Sequence, residues 1–560
     1  MSNILIGKGN NNMKILKNNK IKILIICLLS VTIVLALSSS DYFRELSNSM
    51  RLFNDTYKRV VANYVDQIEV EKFTEIAIKK MVKELDPYTV FMTKEEQEPI
   101  EMLTKGKYGG VGIRISVRND TLTAISPMEG SPAKRCGILP GDQILKVDSI
   151  STIGLSVNDA AKKIRGKVGT EVDLTIRRPG VSGETIYTII RENIKVPVLS
   201  YSGMLNEETG YIALTGFSRG AGNETKKVIL EMTANEKFQN LILDLRSNPG
   251  GLLNEALEVA ELFTQPGDTL LFTRGRTKMA NQVHIAKHKP ILDSDVKVAV
   301  LVNQGSASAS EIVSGIIQDY DRGVILGMPS FGKGLVQRVF PIDREHSLKI
   351  TNAKYYIPSG RCIQKPDFIN NPELIEDFSS DDTLFFTRNG RQFKDGGGIK
   401  PDIEVSREKL PQYVRELWRK NKFYTYAIHY KSEKDELPEY SEISGQILDE
   451  FKLFLEEEDF SYKFSKEKKL KELEESILQD STFQNLTGRF DEFYAVFDSI
   501  KSNGFGDNIK FIKEGLRSEF ATLSGGLSTR VEASLPDDPV IIKSLEIFSD
   551  EEEYDKILNN

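Results

Sequence analysis

Residues 298–320 read VAVLVNQGSASASEIVSGIIQDY and pass from an apolar run to a helical pattern. The run 298–302 has the length and composition of a strand that is buried on both faces, and the residues after 311 show helical spacing. The same alternation recurs at 241–243, which is apolar, and at 252–263, which is helical. Buried strands that alternate with helices predict a βαβ arrangement, in which the strands of the sheet are parallel.

The turn between this strand and its helix carries three serines, Ser306, Ser308 and Ser310. The first amides of a helix have no partner within it and can donate to an oxyanion, so a serine in this turn is placed for nucleophilic attack. The alternative is structural, because Ser308 or Ser310 could simply cap the helix. Spacing and composition do not separate the three serines.

A catalytic serine needs a base, and histidine is the usual one. The chain has only four histidines, and none lies in a glycine-flanked or strand-end motif. His284 and His288 have the spacing of helical metal ligands, but the segment lacks the glutamate of a His-Glu-x-x-His site. We therefore expect a solvated pair there, and a Ser-His hydrolase is a distant alternative.

Lysine is another base available to a serine, provided that burial lowers its pKa. Lys333 lies in residues 330–337, SFGKGLVQ, where the glycines on either side permit a tight bend. In an extended segment, Lys333 and Gln337 would point to the same face. A surface lysine in a glycine turn is the alternative for this segment taken alone.

Residues 244–251, DLRSNPGG, end a second buried strand ahead of a helix. The paired Gly250 and Gly251 expose backbone N–H groups, which suit an oxyanion or a phosphate. The segment lacks the Gly-Lys-Ser or Gly-Lys-Thr ending of a nucleotide-binding loop, so phosphate is the weaker interpretation. A tight turn needed only for packing is the alternative.

A different pattern begins near residue 108, where short alternating strands and glycine turns replace helical spacing until about residue 192. The loop Gly110-Val111-Gly112-Ile113 precedes a strand and offers adjacent N–H groups to the C-terminal carboxylate of a peptide. The following strand can then pair with that peptide at a sheet edge, which predicts a PDZ domain. Arg165 could couple a filled PDZ groove to a distant site, or it could simply be solvated.

The chain has 560 residues, of which 74 are basic and 81 acidic, for a formal net charge of −7. This length predicts three or four domains. The acidic balance, with no basic stripe beyond the N-terminus, argues against a nucleic-acid-binding protein, whose surface would need clustered Lys and Arg. Three cysteines without a Cys-x-x-Cys spacing argue against a disulfide scaffold and against a zinc site of that type.

Five regions follow from these changes of pattern. Lysines before the apolar residues 23–37 predict an export segment at 1–38, which is either a cleaved signal peptide or a retained membrane anchor. The protein would then act outside the cytoplasm, in the periplasm or at the outer face of the inner membrane. The remaining regions are helical at 39–103, a PDZ domain at 104–192, an α/β core at 193–405 and charged helices at 406–560.

Taken together and in this order, eight segments resemble the carboxy-terminal processing, or tail-specific, serine protease family. The segments are LDPY (85–88), GVGI (110–113), GILPGD (137–142), IRGKVGT (164–170), DLRSNPGG (244–251), SASASE (306–311), FGKG (331–334) and GIKPD (398–402). Their joint occurrence is far more specific than any one of them. Cys136, where the family has alanine, and the tail beyond Val405 depart from the pattern.

The resemblance implies a Ser-Lys peptidase with a ClpP/crotonase-like α/β core, an inserted β-rich PDZ domain and helical N- and C-terminal regions. It assigns Ser308 as the nucleophile, Lys333 as the general base and Gln337 as the residue that orients the lysine. The implied oxyanion donors are the N–H groups of Ala309 and of a glycine in the Gly250-Gly251 pair. No metal, nucleotide or other cofactor is expected.

The expected substrates are the C-terminal tails of exported or envelope proteins. An adaptor or activator protein and a second copy of the chain are further candidate partners, as is the membrane if the N-terminal segment is retained. Nucleic acid is not an expected partner. The competing hypothesis is a PDZ scaffold that holds peptides without cutting them, and the presence of both Ser308 and Lys333 argues against it.

Overall fold

The computed structural model describes residues 42–365, 369–371, 383–394, 396–434, 436–478 and 487–559. The predicted export segment lies outside these ranges. Among the residues that are described, no helix combines the length and the apolar composition that crossing a membrane would require. The chain divides into two compact units, of which the first ends at Val82 and the second begins at Lys83.

The first unit is a pair of helices. They are α1 (42–63) and α2 (Val70–Lys83), whose last residue already belongs to the second unit. The Tyr57 ring stacks on Phe73 with 5.8 Å between ring centroids, and its hydroxyl lies 2.6 Å from Thr74 Oγ1. These contacts hold the two helices together.

The second unit begins with a short strand and a helix and continues into a β-rich domain. Its elements are β1 (Val90–Thr93), α3 (Lys94–Lys105), β2 (Lys107–Gly110), β3 (Ile113–Arg118), β4 (Thr121–Pro127), α4 (Pro132–Arg135), β5 (Gln143–Val147), β6 (Ile150–Ser151), α5 (Val157–Ile164), β7 (Glu171–Arg177), β8 (Thr185–Ile190) and β9 (Glu192–Lys195). Five strands form an antiparallel sheet in the order β3-β4-β5-β7-β8, with β6 on β5. Strand β3 is therefore an edge strand.

The core of this domain follows the two-residue period of its strands. In β7 the side chains of Val172, Leu174 and Ile176 point inward and are buried, as expected for a sheet with one covered face. Helix α5 begins at the N-cap Ser156, whose hydroxyl accepts from Asp159 N–H, and buries Ala160 against the sheet core. Strands β2 and β9 pair with each other where the chain enters and leaves the domain.

An α/β core follows. Its elements are β10 (Leu199–Met204), β11 (Thr209–Leu214), α6 (Ala221–Thr233), β12 (Asn240–Asp244), α7 (Leu253–Glu261), β13 (Thr269–Arg274), β14 (Gln282–Ile285), β15 (Lys297–Val302), α8 (Ala309–Asp319), β16 (Val324–Gly327), β17 (Leu335–Pro341), β18 (His346–Tyr356), β19 (Leu384–Phe386), β20 (Gln392–Lys394) and β21 (Ile403–Glu404). Six of them form the main sheet in the order β10-β11-β12-β15-β16-β21, which is parallel from β11 onward. The predicted βαβ arrangement is confirmed.

A second sheet lies in the same core and has the order β1-β18-β13-β14, with β17 also paired to β18. Its pairs are antiparallel. Strand β1 lies beside β18 although about 250 residues separate them, so the turn before β1 reaches the middle of β18. This pairing brings residues 86–89 next to Thr351.

The C-terminal region is helical, as predicted. Its helices are α9 (Gln412–Arg419), α10 (Lys422–Lys434), α11 (Gly445–Glu457), α12 (Ser465–Leu478), α13 (Thr487–Asn503), α14 (Ile509–Ser534), α15 (Pro539–Ser549) and α16 (Glu551–Asn559). An aromatic cluster that includes the fully buried Phe423, Phe451 and Phe520 holds part of this region together. The helices also contact the β-rich domain, where Arg118 Nη1 donates to Asn421 Oδ1 at 2.6 Å.

The last two helices complete the α/β core. On one face of the main sheet, Leu243 and Val300 pack with residues of α6, α7 and α8. On the other face, Ile242 and Leu301 pack with residues of α15 and α16, including Ile541. Because side chains alternate along a strand, this sheet needs a cover on each face, and the end of the chain supplies the second one.

Candidate active site

Ser308 lies between β15 and α8, at the turn that the sequence singled out. Its backbone has φ 56° and ψ −110°, a conformation that L-residues rarely adopt. Strain of this kind persists only where surrounding contacts enforce it, and it concentrates at functional sites. Ala309 follows as the first helical residue, and its N–H has no acceptor among the described residues.

The structure distinguishes the three serines of this turn. Ser306 donates its hydroxyl to Leu245 O at 2.8 Å, and Ser310 donates to Asn248 O at 2.9 Å. Both side chains are completely buried. Ser308 is only partly buried; its hydroxyl oxygen faces the N–H of Glu311 in a capping box, and its hydroxyl proton has no acceptor in the described part of the chain. Ser308 is therefore the serine of this turn whose hydroxyl proton is not committed to a backbone carbonyl.

The paired glycines lie against this turn. A Cβ at Gly250 would stand 2.9 Å from Ser308 Cβ and 2.9 Å from Ala309 N, and Gly250 also has φ 97°, so a side chain is excluded there. The N–H of Gly250 donates to Asn248 Oδ1 at 2.9 Å. The N–H of Gly251 has no acceptor among the residues described, which leaves Gly251 as the open donor of the pair.

Lys333 lies in the bend between β16 and β17, and its side chain is partly buried. Burial lowers the pKa of Lys333, and the nearby charge of Lys349 lowers it further, while the carboxylates of Glu311 and Asp86 act in the opposite direction. The ammonium nitrogen stands 4.5 Å from the centroid of the Tyr88 ring, a cation–π distance that favours the charged form.

Glu311 connects the serine turn to the lysine bend. Its carboxylate accepts from Ser308 N–H at 2.7 Å through Oε2, from Lys333 N–H at 2.9 Å through Oε2 and from Gly332 N–H at 2.6 Å through Oε1. The side chain is fully buried, which raises the pKa of Glu311, and its hydrogen bonds oppose that shift. One carboxylate therefore fixes both backbone segments.

Tyr355 makes a second connection between the same two segments. Its hydroxyl lies 3.0 Å from Ser308 O and 2.5 Å from Lys333 O, within donating distance of both carbonyls. The ring is buried in the main core, and burial raises the pKa of Tyr355 well above its usual value. The hydroxyl therefore stays protonated and able to donate.

Gln337 does not reach Lys333 in this structure. Its amide nitrogen donates to Thr351 Oγ1 at 3.3 Å, and Thr351 Oγ1 in turn donates to Asp86 Oδ1 at 3.3 Å. Asp86 also accepts from the N–H groups of Tyr88 and Thr89, each at 2.8 Å. The orienting role of Gln337 stays a prediction, and its observed partner belongs to the turn that carries Tyr88.

The predicted peptide-binding loop ends β2 and precedes the edge strand β3. Gly112 has φ 75°, and a Cβ there would stand 2.4 Å from Ser131 Cβ, so only glycine fits. The N–H of Gly112 has no acceptor in the described part of the chain, while Val111 O accepts from Ala133 N–H at 3.0 Å. The loop therefore keeps an amide open beside a free strand edge, with Ile113 as the first residue of that strand.

Arg165 follows helix α5, and its side chain contacts Tyr108 and Glu98. Its guanidinium carbon stands 5.2 Å from the centroid of the Tyr108 ring, and Nη1 lies 3.8 Å from Glu98 Oε1 on α3. The structure brings Arg165 to the junction of the β-rich domain and α3. A coupling role for Arg165 stays a prediction.

The two histidines expected to form a solvated pair differ in environment, because His284 is partly buried on an edge strand and His288 is exposed in the loop after it. His284 is on β14, and His288 Nδ1 lies 3.0 Å from Glu261 Oε2. Among the described residues, no group of three or more His, Cys, Asp or Glu side chains could hold a metal ion.

Glu311, Tyr355 and Tyr88 are residues of this site for which the sequence predicts no role. Glu311 and Tyr88 belong to two of the family-like segments, so the motifs contained a signal for them. No motif contains Tyr355. Its place beside the Ser308 turn and the Lys333 bend results from the pairing of β17 with β18.

Four models of known protein families match successive parts of the chain. Residues 208–371 match the model of peptidase family S41, and residues 124–178 match a PDZ domain. Residues 34–96 match the model described as the activating protease CtpB N-terminal domain, and residues 413–548 match that of a probable PDZ-protease C-terminal helical domain.

Curated relatives are similar over more than half of the chain. A carboxy-terminal-processing protease of Bartonella bacilliformis is 36% identical over 337 residues, which cover 59% of this chain and 77% of the relative. A probable CtpA-like serine protease of Staphylococcus aureus is 34% identical over 355 residues, 63% of this chain and 70% of the relative. A solved structure, a photosystem II D1 C-terminal processing protease, is 25% identical with a TM-score of 0.35 over 64% of this chain and 94% of its own.

The protein is therefore a serine-type peptidase that carries a PDZ domain. The chain belongs to peptidase family S41, as a carboxy-terminal-processing protease. The family resemblance and the predicted fold class, an α/β peptidase core with a PDZ domain and helical ends, are confirmed.

Tyr355→Phe tests the connection beneath the serine turn. The change keeps the buried ring and removes a hydroxyl that lies within hydrogen-bonding distance of both Ser308 O and Lys333 O. We expect kcat on an unfolded protein substrate to fall about tenfold while KM changes less than about twofold, because the lost bonds align reacting groups rather than bind substrate.

Tyr356→Phe is the matched control, since it changes the next residue and keeps the ring that faces Arg274. A kcat for Tyr355→Phe equal to that of the control would show that the hydroxyl does not position the site.

Proposed function

We propose that this protein is an exported endopeptidase that cleaves envelope proteins by a Ser308–Lys333 dyad and selects them by their C-terminal tails. The observation that carries the dyad is the Glu311 carboxylate, which binds the backbone N–H groups of Ser308 and Lys333 together. Export is supported by the lysines before the apolar residues 23–37.

In the proposed reaction, neutral Lys333 takes the proton of Ser308 Oγ as the oxygen attacks a peptide carbonyl. The N–H groups of Ala309 and Gly251 then donate to the oxyanion of the tetrahedral intermediate. Collapse of that intermediate releases the amine, with the proton returned by Lys333, and leaves an acyl-enzyme on Ser308. Water activated by neutral Lys333 hydrolyses the ester and restores the serine.

The protonation state of Lys333 sets the pH dependence of this mechanism. A lysine with its usual pKa would be almost fully charged at neutral pH and could not accept a proton. Burial and the charge of Lys349 lower the pKa of Lys333 toward the range in which a neutral fraction exists. The rate should therefore rise with pH through the pKa of Lys333.

Tail recognition is assigned to the PDZ domain. The open N–H of Gly112 lies in the tail-binding loop, residues 110–113, and the neighbouring strand β3 has a free edge. A peptide that places its terminal carboxylate in this loop and adds a strand to β3 would be held by main-chain bonds, largely independent of its sequence.

Ser308→Ala and Lys333→Ala test the dyad. Each change should lower the rate of hydrolysis of an unfolded protein by more than about a thousandfold, because nucleophile and base act as a unit. Ser310→Ala is the control, since that hydroxyl is committed to Asn248 O, and it should keep most of the activity. The assignment fails if either dyad variant retains the activity of the control.

Lys349→Gln tests the electrostatic environment of the base. Removal of the positive charge near Lys333 should raise the pKa of Lys333, so the acid limb of the kcat/KM profile should move to higher pH. Lys349→Arg keeps the charge and should leave the limb in place. A limb that stays unmoved in Lys349→Gln would contradict Lys333 as the titrating base.

Peptides with free and amidated C-termini test tail recognition. Amidation removes the charge that the loop amides would bind, so kcat/KM should fall about tenfold or more. The matched control is acetylation of the N-terminus of the same peptide, which should have little effect. Equal cleavage of the free and amidated peptides would exclude carboxylate recognition by the PDZ domain.

A further inference from the structure

A cavity of about 670 Å³ lies where the PDZ domain joins the peptidase core. It is lined by the end of α3, by the paired strands β2 and β9 and by the turn before α6. Its size is that of a site for a small ligand or for a few residues of a peptide. Four of its lining residues are cationic, and we call them the basic pocket: Lys105, Lys107, Lys195 and Arg219.

The backbone geometry forces these cations together. Lys107 is directly opposite Lys195 in the register of β2 and β9. Arg219 Cβ stands 3.2 Å from the position that a Cβ would take at Gly106, and the N–H of Arg219 donates to Leu103 O at 3.0 Å. The convergence is a property of the tertiary fold, because the four residues come from three separate segments.

The charges of the basic pocket are only partly balanced. Lys105 Nζ bonds to Glu101 Oε2 at 2.5 Å, and the carboxylate of Glu224 also lines the cavity. The other three cations make no ion pair with any acidic side chain in the described ranges. Like charges placed directly opposite on a ladder are destabilising, so Lys107 and Lys195 form an arrangement that an anion would relieve.

The basic pocket is connected to both sites described above. Arg219 follows Phe217 by two residues, and Phe217 N–H donates to Gly250 O at 3.0 Å while Phe217 O accepts from Leu252 N–H at 2.7 Å. The turn therefore lies directly against the glycine pair. At the other side, β2 begins at Lys107 and runs for roughly 10 Å into the tail-binding loop.

We propose that the basic pocket binds acidic side chains of the polypeptide substrate, in the segment between its C-terminal tail and the bond that is cut. This inference rests on the proposed function, since it assumes that a tail held by the PDZ domain leads to Ser308. A substrate strand in this place would present Asp or Glu to Lys107, Lys195 and Arg219. The preferred substrate class is unfolded protein with acidic residues shortly before an unblocked C-terminus.

Binding to the full chain carrying Ser308→Ala tests the proposal without hydrolysis. Two fluorescent peptides with the same last four residues are compared, one with three glutamates before them and one with three glutamines. We expect the acidic peptide to bind about tenfold more tightly at low salt, because the cations are exposed and several charge pairs that are weak singly would act together. The preference should shrink at high salt as the charges are screened.

Charge-neutral variants then locate the effect. With Lys107→Gln and Lys195→Gln combined, the ratio of the two affinities should fall close to one, and Arg219→Gln alone should lower it in part. Lys226→Gln is the matched control, because Lys226 is an exposed cation of α6 that does not line the cavity. Both peptides are measured on the same preparation of each variant, so partial unfolding lowers both apparent affinities alike and leaves their ratio unchanged. Thermal melting checks the folding of each variant independently.

Three outcomes would overturn the proposal. They are equal affinity for the two peptides in the chain with an intact pocket, an unchanged ratio in the combined variant, and no binding of the acidic peptide up to about 1 mM. Failure of the proposed function has a different signature. If Ser308 and Lys333 do not form the dyad, hydrolysis by the Lys333→Ala variant persists, while the binding ratios are unaffected.

Discussion

The buried carboxylate of Glu311 is the interaction on which the site depends. It accepts hydrogen bonds from three backbone N–H groups, those of Ser308, Gly332 and Lys333, and from the hydroxyl of Ser330. A carboxylate without water must have all of its oxygens satisfied, so it can stay in the core only while the two segments remain together. The strained backbone at Ser308 and the glycine bend at Lys333 are both held by this requirement.

The need to bury both faces of the main sheet explains why the last helices of the chain pack on the peptidase core. The main sheet is parallel and needs helices on both faces, yet the segment that contains its strands supplies only one layer. The second layer comes from α15 and α16, and Asp538 anchors it by accepting from Arg246 at 2.8 Å and from Arg407. Arg246 belongs to the segment that carries the glycine pair. The last helices are thus tied to the region around the oxyanion donors.

Sequence patterns predict local features well, but they do not predict which residues distant in the sequence are brought together by folding. The strand-turn-helix order around Ser308, the PDZ domain and the family could be derived from periodicity, glycine positions and motifs. Tyr355 and the basic pocket could not, because their partners are remote: Tyr355 lies 47 residues after Ser308, and Arg219 meets Gly106 only through folding. The sequence has no basic stripe, so it did not predict the cluster of cations that folding assembles from separate segments.

The environment of Lys333 contains opposing influences whose balance depends on what fills the site. Burial and Lys349 favour the neutral amine, while Glu311, Asp86 and the face of the Tyr88 ring favour the ammonium. Lys333 is only partly buried, so its remaining contact with solvent also favours the charged form. A peptide lying over Ser308 would reduce that contact with solvent and lower the pKa of Lys333 further, since desolvation acts against charge. Cover by a substrate would thus increase the fraction of neutral Lys333 that can accept the proton of Ser308.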